Sequence, residues 1–211
     1  VAEAFAKKLG KKAGVCVGAD ALRSPSCPPS RSTEFTPPLE GSQREFYQLE
    51  DVGYRDCFVK QTKTGIKLCH RGKSDARHHV ALVGDSHALQ WAPAMTALVE
   101  RGDLRVTMAF RGSCPFNLAR VIDGTQKECG IWIDRVLDEL ARDESIDLVV
   151  TTSFADKRFE SAPGSDMFEA AVQGYVETWE RLGLKGKRPV LALRDTPLPR
   201  RGYRECLSKR E

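Results

Sequence analysis

From about position 77 the chain alternates short continuous apolar runs with windows in which apolar residues recur every three or four positions. The runs are Val80 to Val83, Leu104 to Phe110, Ile146 to Thr151 and Pro189 to Leu193. They read as mainly continuous apolar runs rather than as alternations, with Arg105, Thr107 and Asp147 as interruptions, as expected of strands covered on both faces. The windows between them read as helices. One runs from about Ser86 to Arg101 with Leu89, Ala92, Met95 and Val99 on one stripe. A second runs from about Glu128 to Arg142 with Ile133, Val136, Leu137 and Leu140 inward. A third runs from about Met167 to Leu182 and carries Phe168, Ala171, Val172, Tyr175 and Trp179. Strands that alternate with helices in this way predict an α/β fold, a three-layer αβα sandwich around a parallel sheet.

Residues 1–76 lack such periodicity. A short helical stretch near Ala2 to Leu9 is followed by Pro28-Pro29, Pro37-Pro38 and scattered Gly and Ser. The expectation is a loop-rich collar over residues 1–76, braced by disulfides, ahead of a domain over residues 77–211.

Composition narrows the class. The chain has 211 residues, 41% of them apolar, enough for a buried core. The formal net charge of +4 comes from acidic and basic residues mixed along the whole length. No basic stripe of the kind that binds nucleic acid stands out, so no nucleic-acid partner is expected. The longest apolar runs are far shorter than the roughly 20 residues that cross a bilayer. The chain opens with Val1 and its first dozen residues lack a signal-peptide pattern, which reads as an excised piece of a longer protein.

Seven cysteines change the picture. There is no CxxC pair and no histidine at zinc-finger spacing, so no metal and no cofactor is expected. Proximity suggests three couples, Cys16 with Cys27, Cys57 with Cys69, and Cys114 with Cys129. Six cysteines admit many pairings, and buried free thiols are the competing reading. Disulfides point to an oxidising, extracytoplasmic compartment. Cys206 is left over, and a partner beyond Glu211 is expected for it.

The candidate chemistry sits just past the first apolar run, in Gly84-Asp85-Ser86-His87. In open parallel sheets reactive loops lie at the carboxyl ends of strands, where the next helix offers unpaired backbone N–H groups. Ser86 would stand at such a junction, and Gly84 would permit the tight turn. The plain alternative is that Asp85 or Ser86 is only a helix N-cap.

This string resembles the SGNH, or GDSL-like, hydrolase superfamily. More narrowly the chain is similar to the SGNH domain fused behind the membrane-embedded acyltransferase-3 domain of bacterial O-acyltransferases. The likeness rests on Cys16-Val17-Gly18-Ala19, Cys57 and Cys69, Gly84-Asp85-Ser86-His87 with Trp91 and Pro93, Ser113-Cys114-Pro115, and Asp195-Thr196-Pro197. It implies an SGNH/flavodoxin-like sandwich with Ser86 as nucleophile and with the N–H groups of Ser86 and Gly112 as oxyanion donors. Gly84, Asp85 and His87 would support the motif. It also implies transfer of an acyl group, in the first place acetyl, to a cell-surface or cell-wall glycan, with the membrane domain of the same polypeptide on the donor side and location outside the cytoplasm. The alternatives are a polysaccharide O-acetyl esterase and a non-catalytic glycan-binding module.

Two departures stand out. The loop after the third strand holds Thr151-Thr152-Ser153 where many members have Asn, so Ser153 is the substitute donor or the third donor is missing. The family's Asp-x-x-His block, which carries the general base, is not seen. None of the four histidines is an obvious replacement. His87 is next to Ser86, and neighbouring helical side chains point roughly 100° apart. His78 and His79 precede the first strand, roughly 15 Å away at about 3.3 Å per residue. His70 belongs to the collar. The base is therefore expected beyond Glu211, and residues 1–211 alone are expected to be weak or inactive. A nucleophile elbow of the form G-x-S-x-G fails because Ala88 occupies its last position, and no phosphate-binding glycine motif follows the first strand.

Overall fold

The computed structural model describes residues 53–102, 104–122, 126–182 and 188–195. Their strands are β1 Phe58–Val59, β2 Cys69–Arg71, β3 His78–Gly84, β4 Leu104–Arg111, β5 Leu148–Thr152 and β6 Val190–Ala192. Their helices are α1 Ser86–Leu89, α2 Ala92–Glu100, α3 Gln126–Arg142 and α4 Met167–Arg181. The strands form one sheet in the order β1-β4-β3-β5-β6, and β2 also pairs with β4. All pairings are parallel except β2 with β4.

The centre is β3, buried from His79 to Gly84. Its side chains divide between two cores because successive residues of a strand face opposite ways. Val80 and Leu82, with Val106, Met108, Phe110 and Val150, pack under Ala88, Leu89 and Ala92 of α1 and α2. Ala81 and Val83, with Ala109 and Val149, pack under Trp132, Ile133, Val136, Leu137 and Leu140 of α3. The expected αβα sandwich is thus present, with the predicted faces of the first two helical windows turned inward.

The connections decide where a site can form. From β3 the chain passes through α1 and α2 to β4 on one side, then returns through α3 to β5 on the other side of β3. The helices that follow β3 and β4 therefore cover opposite faces, and the carboxyl ends of β3 and β5 flank a crevice.

Three boundaries need correction. Residues 58–59 and 69–71 add two strands to the sheet, so the sheet begins before position 77. The helix expected from Ser86 to Arg101 is broken between Leu89 and Ala92, because Pro93 in the first turn of α2 has no N–H to continue α1's ladder. The third apolar run enters the sheet only at Leu148, although Ile146 is buried in the core beforehand.

A further correction concerns α4. Its Phe168 is 71% exposed and Val172 is 44% exposed, while Gly174 and Thr178 are the residues buried. The reason is polar. The segment after β4 presents the N–H of Leu118 to Thr178 Oγ1 at 2.9 Å, and Asn117 Nδ2 donates to the Ala171 carbonyl at 3.0 Å. That fit demands close approach, since a Cβ on Gly174 would lie 2.5 Å from Ala119 Cβ. Backbone hydrogen bonding, not the apolar stripe, sets the rotation of α4.

Two of the expected cysteine couples are disulfides. Cys57–Cys69 lies inside the core of the α1/α2 face, where it pins β2 beside β4. Cys114–Cys129 links the turn after β4 to the start of α3 within the other core. The third expected couple, Cys16 with Cys27, lies outside the described residues, as does Cys206. No helix among the described residues is long and apolar enough to cross a membrane.

Candidate active site

Ser86 opens α1 immediately beyond the carboxyl end of β3 and is half-buried. Its N–H belongs to the first helical turn, which has no partner one turn earlier. The turn that delivers it depends on Gly84, whose φ of +155° is one that side chains rarely adopt. Gly84 is paired with Thr152 of β5. A Cβ there would collide with the Thr152 carbonyl oxygen and lie 2.8 Å from Ala88 Cβ.

Asp85 is 1% exposed and caps α1. Its Oδ1 accepts the His87 N–H at 2.8 Å, and its Oδ2 accepts the Phe154 N–H at 2.9 Å. Burial pushes its pKa above the ordinary 3.8, while the two backbone N–H groups pull it back. The N-cap reading of the sequence therefore holds for Asp85, and the same carboxylate does more than cap. It joins the loop after β3 to the loop after β5.

A second carboxylate acts on that loop. Asp195, just past β6, accepts the Ala155 N–H at 3.0 Å, and the same Oδ2 lies 2.9 Å from His87 Nδ1. This is an ion-pair distance, although the two atoms do not form a hydrogen bond. The His87 ring also packs on Phe154, with centroids 4.9 Å apart.

The oxyanion candidates fare differently. The Gly112 N–H donates to the Val59 carbonyl at 3.0 Å, so pairing of β1 with β4 already consumes it, and that assignment is corrected. Ser153 reaches the crevice, where its hydroxyl shares a 2.7 Å hydrogen bond with the Tyr175 hydroxyl. The chain's only asparagine, Asn117, is fully buried beneath α4, and its side chain meets the same Tyr175 hydroxyl that Ser153 bonds.

The remaining histidines gather at the opposite end of the sheet. His78 and His79 start β3, two residues earlier than the sequence reading placed the strand. His70 on β2 and the buried His79 both meet the Thr107 hydroxyl, at 2.9 and 2.7 Å. The spacing Asp-x-x-His, missed in the sequence reading, does occur once, at Asp75-Ala76-Arg77-His78. It sits at the amino end of β3, where His78 lies 4.0 Å from Asp147, and so is far from Ser86.

Among the described residues one cluster has metal-ligand character, Asp56 with Cys57 and Cys69, but its sulfurs are joined to each other. Sequence reasoning missed a cavity of about 610 Å³ at the carboxyl ends of β5 and β6. Thr152, Ser153, Phe154, Tyr175, Trp179 and Asp195 are among its walls. The sequence signal was only the hydroxyl run Thr151-Thr152-Ser153 and two aromatics on α4 that read as core.

The comparisons with known proteins agree with this fold. A solved structure, the periplasmic domain of a lipopolysaccharide acetyltransferase from Salmonella ser. Paratyphi A, is similar at a TM-score of 0.51 and 15% identity. The alignment covers 72% of this chain and 56% of that one, so the chain spans little more than half of that domain. No curated protein sequence matches the chain. The family of SGNH domains fused to AT3 domains matches residues 56–211, which take in every described strand, and the chain belongs to that family.

Proposed function

We propose that this chain is the SGNH domain of an extracytoplasmic O-acyltransferase that moves an acyl group, in the first place acetyl, onto a hydroxyl of a surface glycan through Ser86. The observation that carries the reading is the position of Ser86. It is half-buried at the carboxyl end of the central strand, on a turn held by Gly84 and by the two backbone hydrogen bonds of Asp85.

In the first step Ser86 Oγ attacks the donor's acyl carbonyl carbon. A serine ester forms, the bond from the carbonyl to the donor's leaving group breaks, and the serine proton passes through a base to that group. In the second step an acceptor hydroxyl attacks the ester, its proton leaves, and Ser86 is regenerated. In this scheme the Ser86 N–H and the Ser153 hydroxyl meet the negative oxygen formed in each step. Asp85 and Asp195 hold the loop that carries Ser153. The membrane-embedded acyltransferase domain supplies the acyl group, and the two cysteine bridges suit an oxidising compartment.

The test is Ser86→Ala in the polypeptide that carries the membrane domain. Acyl transfer should fall about 10⁴-fold while the melting temperature holds. Near-normal transfer would reduce Ser86 to the start of a helix. Water attacking the same ester would make the protein an esterase, and dependence of acyl release on an added saccharide separates the two.

A further inference from the structure

We infer that the basic pocket beyond the end of β1 is a binding site for phosphate groups, a role separate from the chemistry proposed for Ser86. The pocket has a volume of about 580 Å³, and Arg55, Lys60, Lys63 and Lys67 line it together with Phe58 and Ile66. No carboxylate lines it among the described residues. Because β1 runs parallel to β4 and ends at Val59, Lys60 leaves the sheet at the carboxyl edge that also carries Ser86, with β4 between β1 and β3.

Charge is concentrated here. Between Cys57 and Cys69 the chain has three lysines and no acidic residue, although the net charge of all 211 residues is only +4. The neighbouring carboxylate, Asp56, is paired with Arg71 at 3.1 Å. The side chains of Lys60 and Lys63 have no hydrogen bond or ion pair among the described residues. Surface lysines are ordinarily interspersed with carboxylates. The loop that carries these is also held in one shape. The Cys57–Cys69 bridge closes it, and Arg135 of α3 donates to the Thr64 carbonyl at 3.1 Å. The fully buried Arg111 donates to the carbonyls of Gln61 and Lys63. Burying a guanidinium is costly, and this one fixes the course of a surface loop. The same bonds engage carbonyl groups that could otherwise have offset the lysine charges. A carboxylate ligand would balance one of the four cations. A phosphate monoester or diphosphate brings about two charges or more and several acceptor oxygens, which lysines meet as point charges. Phe58 and Ile66 beside the cations suit the carbon chain that bears a phosphate. The shared chemistry is the phosphate group, offered by a soluble diphosphate or by the headgroups of an anionic membrane.

Two probes separate the sources, inorganic pyrophosphate and vesicles of phosphatidylglycerol in phosphatidylcholine, each titrated against the 211-residue chain. Pyrophosphate is followed by the NMR shifts of the Gly65 and Ile66 amides, and vesicle binding by cosedimentation. At least one probe should bind saturably, and acetate at equal ionic strength should leave both amides in place. Lys60→Gln with Lys63→Gln should keep the melting temperature, since both lysines are exposed, and should weaken binding about tenfold or more. Arg101→Gln, at the exposed end of α2 by the opposite edge of the sheet, should change binding by less than about twofold. Pyrophosphate binding alone assigns the site to a soluble ligand, and vesicle binding alone assigns it to a membrane surface. If neither probe binds, if the double lysine variant binds as tightly as the parent, or if Arg101→Gln loses as much, the assignment is overturned. Ser86→Ala should bind either probe as the parent does, so the outcome stands apart from the acyl-transfer reading.

Discussion

The Asp85 carboxylate accepts the backbone N–H of Phe154 across 2.9 Å, tying the turn that carries the candidate nucleophile to the loop that carries Ser153. The same side chain caps α1 through His87. Asp85→Ala would orphan two N–H groups at a buried position and should lower stability by about 2 to 4 kcal/mol. Asp85→Asn keeps an acceptor for one of them and should lose less. Urea denaturation measures both, and a loss under about 0.5 kcal/mol for the alanine variant would mean that the turn stands without this link. Because burial raises its pKa, folded Asp85 holds a proton more readily than the unfolded chain does. Its own contribution to stability should therefore decline as pH rises from about 3.8 to its folded value, and a carboxyl NMR titration should find it protonating above that ordinary value.

Gly84→Ala should be among the most disruptive single changes. The alanine would have to adopt φ +155° and push against the Thr152 carbonyl. A positive φ with a backbone collision at the central strand predicts a loss of roughly 3 kcal/mol or more, seen as a large drop in melting temperature. A variant as stable as the parent would show that the turn can be rebuilt.

The buried histidine at the other end of the sheet predicts a pH limit. Asp143 Oδ1 accepts a hydrogen bond from the Ser145 hydroxyl, and Arg105 donates to Ser145 Oγ at 2.7 Å. Ser145 is then left to accept from His79 Nδ1–H at 2.9 Å, so neutral His79 accepts the Thr107 hydroxyl at Nε2. Burial lowers the His79 pKa, helped by Arg105 and His70 and opposed by Asp143 and Asp147. With the folded pKa below 6.5, the unfolded chain binds the extra proton more readily. The neutral network should contribute its full stability above about 6.5, and that stability should be lost as pH falls from there through the folded pKa. Histidine ¹⁵N shifts should report the Nδ1–H tautomer. His79→Gln should flatten the stability slope over this window, and an unchanged slope would assign it elsewhere.

Replacing both Cys114 and Cys129 by serine opens a loop of 15 residues between the turn after β4 and α3. The chain-entropy effect alone predicts a loss of about 3 kcal/mol, read from urea midpoints under non-reducing conditions. Free alkylation of these cysteines in the untreated protein would contradict the bridge.

Much of this was legible in the chain. Each strand of the central trio was marked by an apolar run, and α3 by its stripe of Ile133, Val136, Leu137 and Leu140, because burial on both sheet faces leaves that imprint. Ser86 and Gly84 were visible because the turn needs a glycine whatever surrounds it. Local bonding made the Asp85 cap readable too. Two of the three cysteine couples, Cys57 with Cys69 and Cys114 with Cys129, followed from short separations alone, while Cys16 and Cys27 lie outside the described residues.

Other features depend on partners distant in sequence. The two-residue β1 has no periodicity of its own and exists because Val59 can accept from Gly112, which at the same time removes Gly112 from the oxyanion role. The face of α4 was misread because Gly174 and Thr178 bond to the segment near Leu118, a choice no helical pattern records. The second hydrogen bond of Asp85, the approach of Asp195 to His87 and the aromatic cavity beside Thr152 join residues that follow β3, β5 and β6 with residues of α4. Composition and spacing determine which segments must be buried, since that depends on each segment's own periodicity. Only the packed sheet decides which strand ends meet, and so which of the chain's polar groups find partners.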